Sequence, residues 1–210
     1  RYFAAGSEAC VVDIDGLAVG LTICEDIWHA EPASQAKAAG AEILININAS
    51  PFHRGTSSER LERVKSCAAT HELPIFYVNQ VGGQDELVFD GGSFAIDAQG
   101  ELSVSAQTFI EAFPLVTVDR LSAPRLVPGD TAADREDLDA VWQALVVGMR
   151  DYVDKNGFPG VVLGLSGGID AAVTLAVAVD ALGPQRVEAV MMPFRYTASM
   201  SVEDAAEEAK

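Results

Sequence analysis

A tight Ser-Gly-Gly turn between an apolar run and a helical pattern most constrains how this chain can fold. Residues 161–165 contain no polar interruption, which predicts a strand buried on both faces. Gly167 and Gly168 have no Cβ, so the backbone can turn sharply there and approach a ligand closely. Residues 170–182 then predict a helix. Because free amides and the dipole at a helix N-terminus favour an anion, this stretch predicts a phosphate cradle.

The turn matches neither the Walker loop, which needs a Lys, nor the Gly-x-Gly-x-x-Gly dinucleotide pattern. Ser-Gly-Gly-x-Asp after a hydrophobic strand instead resembles the PP-loop of ATP pyrophosphatases, which adenylate a substrate and release pyrophosphate. The resemblance implies that the loop binds ATP through Gly164, Leu165, Ser166, Gly167, Gly168, Ile169, Asp170 and Ala171. That pattern usually ends in Ser where this chain has Ala171, so one hydroxyl donor is missing. The alternative is an ordinary glycine turn of any α/β domain.

The formal net charge of −17 limits the partners of the chain. It repels nucleic acid and anionic membranes, so we expect neither, and an anionic substrate must be held by a local cradle. The odd set of Cys10, Cys24 and Cys67 lacks Cys-x-x-Cys spacing, which argues against a disulfide framework and favours a reducing, cytoplasmic compartment. The three histidines do not cluster, so no His-based metal site is expected.

The length of 210 residues allows one domain or two. No apolar run of about 18 residues and no charged-then-apolar leader occurs, so we expect neither a membrane span nor a signal peptide. The sequence opens with Arg1 and ends inside a helical pattern. We therefore expect a piece of a longer polypeptide.

Apolar runs and turn residues predict a mixed α/β first part. Asp15-Gly16 between two apolar runs predicts a type I′ hairpin. Poor alternation over residues 43–47 predicts a strand covered on both faces. The other predicted elements are helices over 32–39 and 57–71 and strands over 75–79, 93–96, 102–104 and 115–118.

Periodicity disappears over residues 120–135, where Pro and Gly predict a linker. An amphipathic helix over 136–156 follows, and a strand over 187–191 comes after the Ser-Gly-Gly segment. The order βαβ predicts a doubly wound parallel sheet with its ligand at the strand C-termini. The predicted domains are thus 1–119 and 136–210, separated by the linker.

Cys24 stands where an apolar strand ends and a polar turn begins, at the edge of the predicted sheet. A nucleophilic Cys needs a base or a cation to form the thiolate. Glu25 and Asp26 would oppose ionisation if they faced the sulfur, so the cation must come from elsewhere. The alternative is a buried core cysteine.

The residues around Cys24 resemble the second half of a nitrilase-type amidase: Leu-Thr-Ile-Cys-Glu-Asp-Ile-Trp at 21–28, Gly-Ala-Glu-Ile-Leu at 40–44 and Asn-Ala-Ser-Pro at 48–51. In that family a Glu, a Lys and a Cys hydrolyse an amide through a thioester, and Cys24 matches the nucleophile. The family's Glu and Lys precede the Cys, whereas all four lysines here follow Cys24. Either those two groups belong to a preceding part, or the site is inactive.

Two further residues are implied by the same resemblance. In glutamine-using members the Ser that matches Ser50 holds the α-amino-acid end of glutamine, and a basic residue often assists where this chain has Thr56, with Arg54 nearby. The alternative for Ser50 is an ordinary turn residue before proline. Trp28 and Phe52 are candidates for a pocket wall or for the core.

Together, the two segments resemble glutamine-dependent NAD synthetases, as do residues 78–91 and 192–197, although Phe194 replaces the family's usual Ser. The resemblance implies an enzyme that takes ammonia from glutamine and uses ATP and Mg²⁺ to adenylate and amidate deamido-NAD. It also implies a homo-oligomer. The family's loop Asp, which helps bind Mg²⁺, corresponds to Asp170, whose alternative role is a helix N-terminal acid. Met191 or Met192 falls at the family's adenine pocket or in the core.

The fold class that follows is α/β, with the C-terminal half of a nitrilase-like α-β-β-α sandwich followed by the start of a doubly wound PP-loop domain. Two other functions stay open. One is a different PP-loop amidotransferase, such as a GMP or asparagine synthetase, whose glutaminase domains differ from the Cys24 context. The other is a non-catalytic binding or scaffold protein, which Ala171, Phe194 and Thr56 favour.

Overall fold

The computed structural model describes residues 6–210, which form two compact units. The first unit is Arg1–Val81 with Phe89–Asp137, and the second is Gly82–Val88 with Leu138–Lys210. The expected first domain, 1–119, thus begins with five residues that lie outside the described ones.

Strands and helices are mixed along residues 6–210, with a run of seven consecutive strands between residues 75 and 126. The strands are β1 (Cys10–Ile14), β2 (Leu17–Ile23), β3 (Ile43–Asn48), β4 (Ile75–Asn79), β5 (Val81–Gln84), β6 (Leu87–Asp90), β7 (Phe94–Ile96), β8 (Leu102–Ser105), β9 (Val118–Asp119), β10 (Arg125–Leu126), β11 (Val161–Gly164) and β12 (Val187–Val190). The helices are α1 (Ala30–Ala38), α2 (Thr56–His71), α3 (Asp137–Lys155), α4 (Ile169–Leu182) and α5 (Ser199–Glu208). From residue 6 onward, none of them is both long and apolar enough to cross a bilayer.

The first unit is built on a six-stranded sheet with the order β1-β2-β3-β4-β7-β8. The turn between β1 and β2 has positive φ at Asp15 (51°) and Gly16 (77°), which confirms the predicted hairpin. Strands β2, β3 and β4 are parallel, so their C-terminal ends meet at one edge of the sheet.

Helices α1 and α2 cover one face of this sheet. Ala33 and Ala36 of α1 and Val64 of α2 pack on buried sheet residues that include Leu44 and Ile75. The small residues of α1 let the helix approach closely, while the 3.6-residue spacing on α2 directs one apolar stripe inward. This packing fixes the strands that carry the candidate site.

The opposite face of the sheet is only partly covered. Leu17, Val19 and Ile43 form a buried cluster there. At the C-terminal ends of the parallel strands, Ile23 and Ile47 are paired in register and are 68% and 51% exposed. The prediction that residues 43–47 are covered on both faces is therefore wrong at Ile47, because no element among residues 6–210 lies over it.

The end of the first unit differs in detail from the predicted elements. The strand expected over 115–118 starts only at Val118, because its partner β10 has two residues to pair with. Leu115 is 93% exposed as a result. Within the segment interpreted as a linker, Leu126 of β10 is buried and clusters with Ala95 and Val104.

The second unit contains the parallel pair β11 and β12, joined through α4 as the βαβ order predicts. Helix α3 packs on α4 through Val146, Val177 and Ala181, which confirms the amphipathic pattern of 136–156. The prediction that residues 161–165 are buried on both faces is wrong, since Val162 is 72% exposed. In the described part of the chain, β11 has a single neighbouring strand and no cover on that side.

Candidate functional site

The C-terminal edge of β2, β3 and β4 gathers the candidate residues of the first unit. Cys24 directly follows β2, and Ser50 comes two residues after β3. The pairing of Asn48 with Asn79 extends the register to the last residue of β4. Neighbouring parallel strands thus deliver the thiol and the hydroxyl to the same edge, as the sequence predicts.

Cys24 begins a 3-10 helix, Cys24–Trp28, with a left-handed φ of 47°. Non-glycine residues rarely adopt this conformation, and such strain concentrates at functional sites. The thiol residue is half-buried and is not sealed in the core. The carboxylate of Asp26 accepts a hydrogen bond from the Ile23 N–H at 2.8 Å, so one of the two neighbouring acids is committed to the backbone.

A buried polar seam runs beneath this edge through Thr22, Asn46 and Asn48. The Asn46 Nδ2 donates to Thr22 Oγ1 at 3.0 Å, and the Asn48 Nδ2 donates to Asn46 Oδ1 at 2.7 Å. Asn46 is fully buried, and its Nδ2 lies 3.5 Å from the Cys24 carbonyl oxygen. The seam therefore satisfies polar groups that the apolar core could not, and it reaches the backbone of Cys24.

Ser50 is held at both its backbone and its side chain. Its N–H donates to Asn79 Oδ1 at 3.0 Å, and its Oγ accepts a hydrogen bond from Arg60 Nε at 3.0 Å. Its carbonyl oxygen accepts a second bond from Arg60 at 2.9 Å. These contacts go beyond what a turn residue before proline requires.

Arg60 and Asp90 form a buried ion pair that sequence reasoning missed. Nη1 of Arg60 lies 2.7 and 2.9 Å from the two carboxylate oxygens, and each side chain is 3% exposed. A signal was present in the sequence, because Arg60 precedes Val64 by one helical turn and so interrupts the apolar stripe of α2. A buried charge on such a stripe requires a partner.

Tyr77 of β4 lies in the same environment. It is fully buried and stacks on Phe94 with a centroid distance of 4.9 Å. Burial raises the pKa of the Tyr77 hydroxyl, while the positive charge of Arg60 and the hydroxyl of Ser50 act to lower it. The Tyr77 side chain thus lies near Ser50 as an uncharged phenol.

Thr56 and Arg54 are the other two residues that the resemblance associates with Ser50. Thr56 is the first residue of α2, and no hydrogen bond joins its side chain to Ser50 in the part of the chain that the structure describes. Arg54 forms an exposed ion pair with Asp137. Neither side chain is therefore hydrogen-bonded to Ser50 among residues 6–210, and the glutamine-binding role of Thr56 stays a prediction.

The two aromatic candidates also differ from each other. Phe52 packs edge to face on Phe109, with 5.3 Å between ring centroids. Trp28 is 37% exposed at the end of the 3-10 helix that begins with Cys24. Of the two aromatic residues, Trp28 is therefore the one that belongs to the same short helix as Cys24.

The Ser-Gly-Gly turn of the second unit joins β11 to α4. The N–H of buried Leu165 donates to the Val190 carbonyl oxygen at 3.0 Å, which continues the parallel pairing into the turn. Gly167 has a φ of +72°, and a Cβ there would lie 2.3 Å from the Ser201 carbonyl oxygen. Only glycine fits this position, because the backbone of Ser201 occupies the space of a side chain; the phosphate cradle itself stays a prediction.

Asp170 lies in the first turn of α4 and is exposed, as is Ser166. Residues 6–210 contain no cluster of three or more His, Cys, Asp or Glu side chains that could hold a metal ion. Mg²⁺ is commonly bound by one or two carboxylates together with nucleotide phosphates. Asp170 therefore fits a metal that arrives with a nucleotide.

Met191 and Met192 are 41% and 76% exposed, which argues against a core role.

Two protein-family models match the chain. The carbon-nitrogen hydrolase family matches residues 1–123, and the NAD synthase family matches residues 141–210. The first match covers more than half of the sequence and the second begins after the predicted linker. Both agree with the two segments distinguished by Cys24 and by the Ser-Gly-Gly turn.

The chain is similar over its whole length to enzymes named glutamine-dependent NAD(+) synthetase. It is 41% identical to that of Acinetobacter baylyi over 100% of this chain and 39% of the relative, and 42% identical to that of Rhodobacter capsulatus over 100% and 38%. The chain thus spans about two fifths of these relatives.

Solved structures agree with these relatives. A glutamine-dependent NAD+ synthetase from Acinetobacter baumannii in complex with ADP superimposes with a TM-score of 0.91 at 44% identity, over 99% of this chain and 39% of that one. The synthetase from Cytophaga hutchinsonii has the same fold, with a TM-score of 0.63 at 20% identity over 96% of this chain and 29% of that one. The resemblance inferred from the sequence and the α/β fold class are confirmed. The chain belongs to the carbon-nitrogen hydrolase family and continues into an NAD synthase segment, the combination found in glutamine-dependent NAD(+) synthetases.

Proposed function

We propose that the full-length protein makes NAD from deamido-NAD, ATP and glutamine. The observation that supports this most is the delivery of Cys24 and Ser50 to one sheet edge, in a chain whose second unit carries the glycine turn of a nucleotide cradle. In this proposal residues 1–119 act as glutaminase, 120–135 as linker, and 136–210 as the first part of the synthetase.

At the glutaminase site, Cys24 Sγ attacks the side-chain amide carbon of glutamine. A C–S bond forms, the C–N bond breaks, and ammonia leaves after gaining a proton. Water then hydrolyses the thioester to glutamate and restores the thiol. Ser50 holds the α-amino-acid end of glutamine, with Thr56 at the start of α2 as an outer contact. The Glu and Lys of the family's triad are to be sought upstream of Cys24.

At the synthetase site, the loop from Gly164 to Ala171 holds the phosphates of ATP. Exposed amides at the start of α4 and the Ser166 hydroxyl donate hydrogen bonds to anionic oxygens. Asp170 assists by binding Mg²⁺ that the nucleotide brings. ATP transfers its AMP group to the deamido-NAD carboxylate and pyrophosphate leaves, after which ammonia attacks the activated carbonyl carbon and displaces AMP to give the amide. Ammonia produced within the same protein avoids protonation to unreactive ammonium in bulk water.

Cys24→Ala tests this division of labour in the full-length protein. We expect NAD synthesis from glutamine to be abolished and synthesis from free ammonia to be retained, because only the first requires the thiol. If both rates fell equally, Cys24 would not serve a separate glutaminase site. If the unaltered protein released no AMP and bound no glutamine analogue at its thiol, the binding or scaffold role favoured by Ala171 and Thr56 would replace this proposal.

Two broader properties belong to the same proposal. The protein is a cytoplasmic enzyme, which agrees with its unpaired cysteines, and it assembles as a homo-oligomer. Light scattering of the full-length protein tests the assembly, and a monomeric mass would contradict it.

A further inference from the structure

We propose that Arg60 is a positioning residue that makes Ser50 a hydrogen-bond donor for the α-carboxylate of glutamine. This inference rests on the proposed glutaminase function of the same site. In this inference Ser50 contacts the α-carboxylate of glutamine, and the buried Arg60 of α2 holds the Ser50 hydroxyl in place. Thr56 stays an outer contact of glutamine in the proposed function, and Arg54 is paired with Asp137.

The hydrogen bonds of Arg60 show that it cannot bind the substrate itself. Nε donates to Ser50 Oγ, Nη1 to both oxygens of Asp90, and Nη2 to the carbonyl oxygens of Ser50 and Pro51 at 2.9 and 2.8 Å. An arginine has five N–H donors, so all of them are used. Arg60 can therefore act on a ligand only through the residues that it holds.

The hydrogen bond from Arg60 to Ser50 Oγ determines whether that hydroxyl acts as a donor or as an acceptor towards a ligand. A serine oxygen that accepts from a guanidinium keeps its own proton, which Ser50 can donate either to the neighbouring Tyr77 hydroxyl or to a ligand. The cationic donor also polarises the hydroxyl and strengthens that outgoing bond. A polarised donor favours an anionic acceptor, and the α-carboxylate is the anionic group of glutamine.

Four side chains close this arrangement into a ring. Ser50 N–H donates to Asn79 Oδ1 at 3.0 Å, Asn79 Nδ2 lies 3.3 Å from Asp90 Oδ1, Asp90 pairs with Arg60, and Arg60 returns to Ser50. Asn79 and Asp90 are 7% and 2% exposed. A closed buried ring leaves the Ser50 side chain little freedom, which preorganises it for one ligand geometry.

The test is Arg60→Lys in the full-length protein, with Arg120→Lys as control because Arg120 is exposed and donates to the Asp15 carbonyl oxygen. The lysine can still pair with Asp90 but loses the fork that reaches Ser50. We expect labelling of Cys24 by a glutamine-like chloroketone to slow about tenfold in Arg60→Lys, the size of one charge-assisted hydrogen bond. Labelling by iodoacetamide, which has no α-amino-acid end, stays unchanged, as does the ammonia-dependent rate.

A double-mutant cycle separates action through Ser50 from a general structural effect. In a Ser50→Ala background, Arg60→Lys is expected to cause no further loss of chloroketone labelling. Equal slowing with both reagents, or an undiminished effect without Ser50, would overturn the inference. If Arg60→Lys does not fold, Arg60→Met with Asp90→Leu removes both charges and serves as the replacement in the same cycle. A protein that lacks glutamine-dependent labelling before any substitution would instead refute the proposed function.

Discussion

The carboxylate of Asp151 accepts a hydrogen bond from the backbone N–H of Gly83, with 2.7 Å between Oδ2 and N. Lys155 completes the clamp, since its Nζ donates to the Gly83 carbonyl oxygen at 2.6 Å and lies 3.2 Å from Asp151 Oδ2. Partial burial acts to raise the pKa of Asp151, but the Gly83 amide and the charges of Lys155 and Arg150 outweigh it and lower the pKa below its ordinary value.

This clamp predicts an acid-dependent contribution to stability. Because the folded-state pKa of Asp151 is lowered, its contribution is complete above the unfolded value of about 3.9 and is lost as the pH falls through the folded value. Asp151→Asn is expected to lower the free energy of unfolding near neutral pH by about 1–2 kcal/mol. Below about pH 4 the difference should shrink, because acid protonates the wild-type carboxylate.

Urea unfolding across that pH range measures the effect. Asp204→Asn is the control, since Asp204 is an exposed carboxylate on α5. A loss in Asp151→Asn that stays constant down to the lowest pH would show that the charge of Asp151 is irrelevant.

Gly167→Ala is expected to disturb the nucleotide loop. The new Cβ would meet the Ser201 carbonyl oxygen at 2.3 Å and would occupy a left-handed backbone conformation. A non-glycine residue under such strain costs about 1–3 kcal/mol. We expect a lower free energy of unfolding and weaker ATP-dependent AMP release. Gly168→Ala is the stability control, because its Cβ would meet only Ser166 Oγ, at 3.4 Å. Equal destabilisation by both substitutions would contradict the steric argument.

Gly20→Ala tests the packing of α1 against the strand that leads to Cys24. A Cβ on Gly20 would lie 2.9 Å from Leu44 Cδ1 and 3.1 Å from Ala36 Cβ. Overpacking of this kind costs about 1–3 kcal/mol, which a shift in the urea midpoint would reveal. Gly6→Ala is the matched control, since no atom of residues 8–210 lies within 4 Å of its added Cβ. An unchanged midpoint in Gly20→Ala would mean that α1 can move away at no cost.

Cys67 is expected to resist alkylation in the native protein. Burial raises the pKa of its thiol, and the positive charge of Arg63 opposes this only in part. Iodoacetamide at mildly alkaline pH should therefore modify exposed Cys10 and leave Cys67 intact, whereas unfolding in urea should make both react. Peptide mass spectrometry gives the outcome, and rapid native labelling of Cys67 would contradict its burial.

Short sequence patterns were enough to predict many of the turns and strands. Asp15-Gly16 specified its hairpin because both residues tolerate positive φ, and the predicted bounds of β4 agree with the structure. Exposure was harder to predict. The apolar residues Ile47 and Val162 indicated burial, but which face is covered depends on elements distant in sequence, and residues 6–210 provide no cover there.

In the candidate site, too, features that depend on local sequence were predicted and features that depend on distant residues were not. The place of Cys24 and Ser50 at one sheet edge was predicted because each follows an apolar strand, which is a local pattern, whereas their proposed roles come from the family resemblance. The roles of Arg60 and Asp90 were not found, because the pair joins α2 to β6 across 30 residues of sequence and no local pattern encodes such a partner. Their pairing depends on tertiary structure, in which two charges are buried together.

The seam of Thr22, Asn46 and Asn48 has a consequence for how the chain folds. If β3 slid by one residue against β2, Asn46 would lose its hydrogen bond to Thr22, whereas its bond to Asn48 lies within β3 and would stay. A slip would thus leave a buried amide without one of its partners, which costs more than a slip between two aliphatic strands. The pair of Thr22 and Asn46 therefore favours the register in which the ends of β2 and β3, and with them Cys24 and Ser50, lie at the same edge of the sheet.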